Sequence, residues 1–282
     1  MSLFKSFRKH IITNDQIKLS YIDIGHGKPL VMIPGWSQTA EEFKYQIEEF
    51  SKNYRCIAID MRGHGESEKV QYGYKISRLS KDLYDVLEAL DLNDIILMGH
   101  SMGCNVIWTY WSLFGSHRLD RLILIDEYAH SLKENGLTNQ EQKKYGCIID
   151  CCEAIKRSEA IAGQNGNDFS TKLVTDMFSE AAPQKTIDWV IEQNFKLPRI
   201  YAAILLKSLY ANDCRDIIPR INIPTLIIGG KGSFIPWQSQ IWIHEQIVNS
   251  KLKIFEKNEG GSHFMFIENP IKFNQVVSKF IN

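Results

Sequence analysis

The sequence predicts an α/β fold: an eight-stranded, mainly parallel sheet with helices on both faces and a helical insertion. Three observations predict it. Short apolar runs alternate with longer stretches of helical period in the first and last parts of the chain, the pattern of buried strands joined by crossover helices. One run, Ile95 to Met98, ends in Gly99-His100-Ser101-Met102-Gly103, and a helical pattern with Val106, Ile107, Tyr110 and Phe114 follows at once. From Tyr128 to Asn212, in contrast, strand signals vanish and turn breaks at Asn165-Gly166-Asn167, Pro183 and Pro198 separate several helices.

The elements follow in order. Ser6–Ile12 and Ile17–Ile24 are two strands around the turn Thr13-Asn14-Asp15, with a second break at Gly25-His26-Gly27. Leu30–Ile33 is a short strand that stops at Pro34-Gly35-Trp36. Thr39 and Glu42 form a capping box for a helix whose apolar face is Phe43, Ile47 and Phe50. Tyr54–Ile59 is the next strand, and Ile76, Leu79, Leu83, Val86, Leu87 and Leu90 mark an amphipathic helix. The central strand and its serine turn come next, then a strand at Arg121–Ile125 that ends in Asp126-Glu127. After the insertion, Pro224–Ile228 is a strand, Trp237–Val248 a helix and Leu252–Phe255 a strand. Asn269-Pro270 opens the last helix, with asparagine as the cap and proline in the first turn. The expected division is a core of 1–127 and 213–282, with 128–212 as a helical cap over the carboxyl ends of the strands.

Composition bounds what the chain does. Lys+Arg and Asp+Glu both number 33, for a formal net charge of zero. No basic stripe points to nucleic acid and no polybasic cluster to an anionic membrane. The segment Met1 to His10 is basic without an apolar core of signal-peptide length, and no apolar run approaches the roughly 20 residues that span a bilayer. The six cysteines (56, 104, 147, 151, 152 and 214) contain no C-x-x-C pair, so reduced thiols in the cytosol are expected. Cys147, Cys151 and Cys152 are within reach of one helix face, as a metal or redox site or, more simply, as buried small apolar residues.

The serine turn is where chemistry is concentrated. A serine on a strained strand-to-helix turn exposes its Oγ but crowds residues two positions away, which accounts for Gly99 and Gly103. The following helix aims its N-terminus at the same place, where negative charge is favoured. A serine hydroxyl is a poor nucleophile until an imidazole takes its proton. Of the eight histidines, His263 lies in a Gly-Gly-Ser-His loop after the last strand, where a side chain reaches the strand edge. His100 is inside the turn and His64 inside an arginine–glycine loop; His10, His26, His117, His130 and His244 read as surface or insertion residues.

The ordered set Pro34-Gly35-Trp36, Asp60-Met61-Arg62-Gly63-His64-Gly65-Glu66-Ser67, Gly99-His100-Ser101-Met102-Gly103 and Gly261-Ser262-His263-Phe264 before Glu268-Asn269-Pro270 resembles the α/β-hydrolases over nearly the whole chain. It is most similar to the serine esterase, lactonase and cofactor-free haloperoxidase-like branch with a helical cap. The resemblance implies Ser101 as nucleophile, His263 as base, and an oxyanion hole from the backbone N–H groups of Trp36 and Met102. The chain has Pro34-Gly35 where the family commonly has His-Gly, but the expected donor is Trp36. The acid departs further. The family usually places an aspartate after the strand at Thr225–Ile228, and here that loop reads Gly229-Gly230-Lys231-Gly232-Ser233-Phe234-Ile235-Pro236. Some relatives carry the acid one strand earlier, which is Asp126 here, with Glu127 the next candidate and a Ser–His dyad the third.

These readings combine into a cytoplasmic serine hydrolase for a small, mostly apolar carboxylic ester or lactone, requiring no metal or organic cofactor. Its partner is a small-molecule substrate, not nucleic acid or membrane; oligomeric state is not encoded in any visible pattern. Met177, Phe178, Trp189 and Tyr201 are candidate apolar pocket residues. Two other classes use the same residues: a non-hydrolytic member of the fold (C–C hydrolase, lyase or cofactor-free oxygenase) and a signal receptor with little turnover. Ser101 argues against the haloalkane dehalogenases, whose nucleophile is an aspartate.

Overall fold

The computed structural model describes residues 4–282. A 3-10 turn at Lys5–Phe7 leads into β1 (Arg8–Ile12) and β2 (Lys18–Ile24), so the first strand is shorter than the sequence suggests. Then come β3 (Pro29–Ile33), a 3-10 turn at Ala40–Phe43, α1 (Lys44–Phe50), β4 (Arg55–Ile59), α2 (Ile76–Ala89), β5 (Ile95–His100), α3 (Met102–Phe114) and β6 (Leu119–Ile125). Five helices follow: α4 (Asn139–Tyr145), α5 (Cys151–Ala162), α6 (Gly166–Thr175), α7 (Gln184–Asn194) and α8 (Arg199–Tyr210). The chain ends with β7 (Thr225–Gly230), α9 (Trp237–Gln246), β8 (Ser250–Phe255), the short α10 (Met265–Glu268) and α11 (Pro270–Ile281). The capping box of Thr39 and Glu42 forms, but over the 3-10 turn rather than the α-helix. Asn269 caps α11 as its sequence implies, its side chain accepting from the Lys272 N–H at 3.3 Å.

The eight strands make one sheet in the order β1-β2-β4-β3-β5-β6-β7-β8, antiparallel at β1, β2 and β4 and parallel from there on. Strand side chains alternate between faces, and the apolar residues divide accordingly. Val31, Ile33, Ile57, Ile59, Leu97, Leu122 and Leu124 belong to one core with Leu79, Leu83 and Val86 of α2 and Val106 and Ile107 of α3. Leu30, Met32, Cys56, Ala58, Ile96, Met98, Ile123 and Ile125 belong to the other, with Phe43, Ile47 and Phe50 near α1 and Phe273 and Val277 of α11. Both faces of the central strands are therefore buried, which is why these strands read as continuous apolar runs.

The residues expected to form buried cysteines behave differently from one another. Cys147 is buried ahead of α5, whereas Cys151 and Cys152 open that helix exposed to solvent, and all six thiols are free. Neither the shared site nor the buried packing holds for Cys151 and Cys152, because Asp150 caps α5 and turns its first residues outward. Among the described residues, no helix is long and apolar enough to cross a membrane.

Candidate active site

Three consecutive parallel strands, β5, β6 and β7, end side by side, and their ends carry the polar residues. After β5 the chain reverses at Ser101, which has φ +52° and ψ −125°. An L-residue rarely occupies this region, and its cost is met by the anchors around it. The Ser101 N–H donates to the Ile125 carbonyl at 2.8 Å, and α3 starts at the next residue. The glycines on either side are sterically required. A Cβ on Gly103 would lie 2.4 Å from the Ile33 carbonyl oxygen, and one on Gly99 would lie 2.7 Å from Ile107.

After β6 a second strained residue follows: Asp126 has φ +50°, its N–H donating to the Ile228 carbonyl at 2.8 Å. This kink turns its carboxylate across the end of β7. There Oδ2 is 2.7 Å from His263 Nδ1 and accepts the Ser233 hydroxyl at 2.5 Å, while Oδ1 accepts the Gly230 N–H at 3.3 Å. The structure thus brings His263 and Asp126 together, both fully buried. Glu127 makes no such bond. Its Oε1 accepts the N–H of Tyr128 at 2.8 Å, and its buried Oε2 makes no hydrogen bond of good geometry among the described residues, although the Asn105 and Ser101 side chains lie near enough to the carboxyl to favour its charged form.

His263 is held from several sides. Its N–H donates to the Met177 carbonyl at 3.2 Å, and its own carbonyl oxygen lies 2.9 Å from His100 Nε2. The rings of His100 and Phe234 flank the imidazole at 4.5 Å and 4.8 Å between centroids. His100 Nδ1 is 2.9 Å from Gln38 Oε1, which also accepts the Gly35 N–H, so His100 links the loop after β3 to the His263 backbone. His64 serves the same loop from the other side: Nδ1 is 2.9 Å from the Arg62 carbonyl and Nε2 accepts the Ser37 N–H at 3.2 Å.

Burial decides the electrostatics. It pushes the His263 imidazole well below the ordinary histidine range, leaving it an unprotonated base at neutral pH. It also lifts the Asp126 carboxyl, a shift opposed by the Ser233 hydroxyl and the Gly230 N–H. With His263 Nδ1–H these make three donors converging on one carboxyl group, the arrangement an ionised Asp126 requires beside a neutral imidazole. Desolvation likewise pushes the fully buried Glu127 carboxyl well above the carboxylate range, opposed by the Tyr128 N–H and by the Asn105 and Ser101 side chains.

Met102 is the first residue of α3, so its N–H has no acceptor in a preceding turn. The Trp36 N–H likewise has no acceptor among the described residues, while its indole Nε1 donates to the Ala202 carbonyl of α8 at 2.8 Å. Of the apolar residues singled out in the insertion, Phe178 stacks on Phe264 at 4.5 Å, next to His263. Trp189 instead packs under the Lys44 ammonium and Tyr201 stacks on Tyr74. Ser233, Gln38 and Phe234 have no motif to flag them; only the missing carboxylate before Ser233 hints that this loop has another task.

A sheet of this topology with a strained Ser101 at the β5–α3 turn defines the class: the chain is an α/β-hydrolase-fold protein, and residues 28–144 match the family model for the alpha/beta hydrolase fold. It is 28% identical to the AB hydrolase superfamily protein YisY of Bacillus subtilis, over 97% of this chain and 98% of that protein. It is equally 28% identical to the non-heme chloroperoxidase CPO-A1 of Kitasatospora aureofaciens, over 96% of this chain and 98% of that protein. Among solved structures, an esterase from Exiguobacterium antarcticum superposes with a TM-score of 0.88 at 26% identity, covering 97% of this chain and 98% of that one.

Proposed function

We propose that the chain is a serine hydrolase that cleaves a small, mostly apolar carboxylic ester or lactone through an acyl-enzyme. The observation that carries this reading is the buried 2.7 Å contact between His263 Nδ1 and Asp126 Oδ2 beside the strained Ser101 turn. Asp126 keeps the proton on Nδ1 and leaves Nε2 as the basic nitrogen. Ser101 Oγ attacks the ester carbonyl carbon as His263 Nε2 takes the hydroxyl proton. The carbonyl oxygen becomes an alkoxide received by the N–H groups of Trp36 and Met102, and the start of α3 adds its dipole. Collapse of that intermediate breaks the carbon–oxygen bond, and His263 passes its proton to the leaving alkoxide. Water then attacks the acyl carbon, gives its proton to His263, and Ser101 leaves with that proton restored.

The segment 128–212 acts in this reading as the cap that sets substrate size. Supporting it are the contacts that α7, α8 and the Met177–Ser179 stretch make with the loops after β3 and β8. An activity screen over aryl esters, alkyl esters and lactones of graded chain length tests the proposal. Turnover that falls with acyl length and vanishes in Ser101→Ala is expected; turnover indifferent to Ser101 refutes it.

A further inference from the structure

Arg199, the first residue of α8, is partly buried, and among the described residues no carboxylate lies within ion-pair range of it. Even a partly buried guanidinium without a counter-charge loses hydration, and desolvation alone pulls it down to about 10. What it has instead is a closed set of neutral acceptors. One amino group donates to Ser170 Oγ at 3.1 Å and Asn194 Oδ1 at 2.8 Å. The other donates to Ser37 Oγ at 2.8 Å, the Leu197 carbonyl at 2.6 Å and the Asn194 carbonyl. Ser37 Oγ in turn donates to that same Asn194 carbonyl at 2.7 Å, closing a ring. With both amino groups committed to protein oxygens, Arg199 is not a receptor for an anionic substrate. It is a fastener.

What it fastens matters because Ser37 follows Trp36. Ser37 is itself held in the left-handed region, at φ +57°. The rest of the loop is pinned to the same helices: Trp36 Nε1 to the Ala202 carbonyl at 2.8 Å, and Thr39 Oγ1 to Gln193 Oε1 at 3.0 Å. The direction of the Trp36 N–H therefore depends on the seating of α7 and α8, which lie far away in sequence.

We propose that Arg199 is a positioning residue: by holding Ser37 it aims the Trp36 N–H, and it thereby couples the seating of the 128–212 helices to stabilisation of the oxyanion. This rests on the reading of Trp36 as an oxyanion donor. Loss of one such donor costs about 10²–10³ in kcat, and a displacement of roughly 1 Å costs about 10². Arg199→Lys keeps the charge but cannot reach Ser170, Asn194 and Ser37 together. Ser37→Ala keeps Arg199 and removes the link from the loop side.

The test measures kcat and KM for p-nitrophenyl acetate, with the affinity of an aryl trifluoromethyl ketone as a mimic of the tetrahedral adduct. Arg199→Lys is expected to lower kcat about 10- to 100-fold, leave KM within about threefold, and weaken the ketone by the same factor as kcat. Ser37→Ala is expected to do the same to a smaller degree. It decides the matter if Arg199→Lys does not fold. A rise in KM at unchanged kcat would mean that Arg199 only shapes the substrate pocket and would overturn the proposal, as would wild-type kcat in Ser37→Ala. Ser101→Ala in the same assay separates the two levels. Turnover that survives it defeats the nucleophile assignment; turnover that requires Ser101 but ignores both Arg199→Lys and Ser37→Ala defeats the fastener alone.

Discussion

Replacing Asp126 by asparagine changes one atom in a buried network and is expected to lower kcat by about 10³–10⁴. The geometry gives the reason. Oδ2 faces two donors, His263 Nδ1–H at 2.7 Å and the Ser233 hydroxyl at 2.5 Å, and Oδ1 faces the Gly230 N–H at 3.3 Å. An amide offers one oxygen and one NH2. With the NH2 towards His263, the imidazole proton moves to Nε2 and the base cannot take the Ser101 proton. With the NH2 towards Gly230, two N–H groups oppose each other and the developing imidazolium loses its negative partner. Either way the barrier rises by about 4–5.5 kcal/mol, which is the stated rate loss at about 1.4 kcal/mol per tenfold. Steady-state kinetics on an aryl ester, with Tm measured alongside, reads both effects. The fold is expected to persist, because shape and volume are conserved. An Asp126→Asn variant within tenfold of wild type, with full activity in Ser101-dependent turnover, would refute the role given to the carboxylate and leave a Ser–His dyad.

Glu127→Gln is expected to keep kcat within about threefold, since Glu127 makes no hydrogen bond to His263 and an amide of the same shape keeps the Oε1 acceptor for the Tyr128 N–H. The folded pKa of Glu127 lies above the unfolded one, so its stabilising contribution is complete below the ordinary carboxyl range near ~4.3 and is lost as pH rises. Glu127→Gln should thus gain Tm relative to wild type as pH increases above that range; a gain at acid pH instead would contradict this. Ser233→Ala removes one of three donors to Asp126, and kcat is expected to fall roughly 3- to 30-fold with the loss largest at low pH, where the carboxyl protonates more readily. Because burial depresses the His263 imidazole, the acid limb of kcat/KM should lie below the ordinary histidine value of about 6.5. A pH profile with its acid limb at or above that value would show a solvated base. Exchange of residues 128–212 for a different helical segment should alter chain-length preference while leaving Ser101 reactive.

The sheet was legible because its central strands are buried on both faces and so stand out as apolar runs: Leu30–Ile33, Ile95–Met98 and Arg121–Ile125 each lie within an observed strand. Ends were less legible. Ser6 and Phe7 look strand-like but form a 3-10 turn, and β7 runs on through Gly229 and Gly230, which read as loop. Ser101 and His263 stand in local patterns with a chemical reason. Asp126 was visible mainly through the absence of a carboxylate between Gly229 and Pro236. The reason it reaches His263, a left-handed kink at φ +50° in a non-glycine residue, leaves no mark in sequence. The same holds for the contacts that join distant segments, such as Ser233 to Asp126, His100 to the His263 carbonyl, and Arg199 to Ser37. Each depends on strand order and on how the five inserted helices fold back, neither of which any local pattern encodes.

Covalent labelling reads whether Ser101 is an activated nucleophile without knowledge of the substrate. Wild-type protein is treated with a fluorophosphonate probe, digested, and mapped by mass spectrometry. One adduct on the peptide containing Ser101 is expected, absent from Ser101→Ala and slowed by orders of magnitude in His263→Ala. An adduct that persists in Ser101→Ala would exclude Ser101 as the nucleophile, and labelling of Ser101 that is unchanged in His263→Ala would exclude His263 as its base.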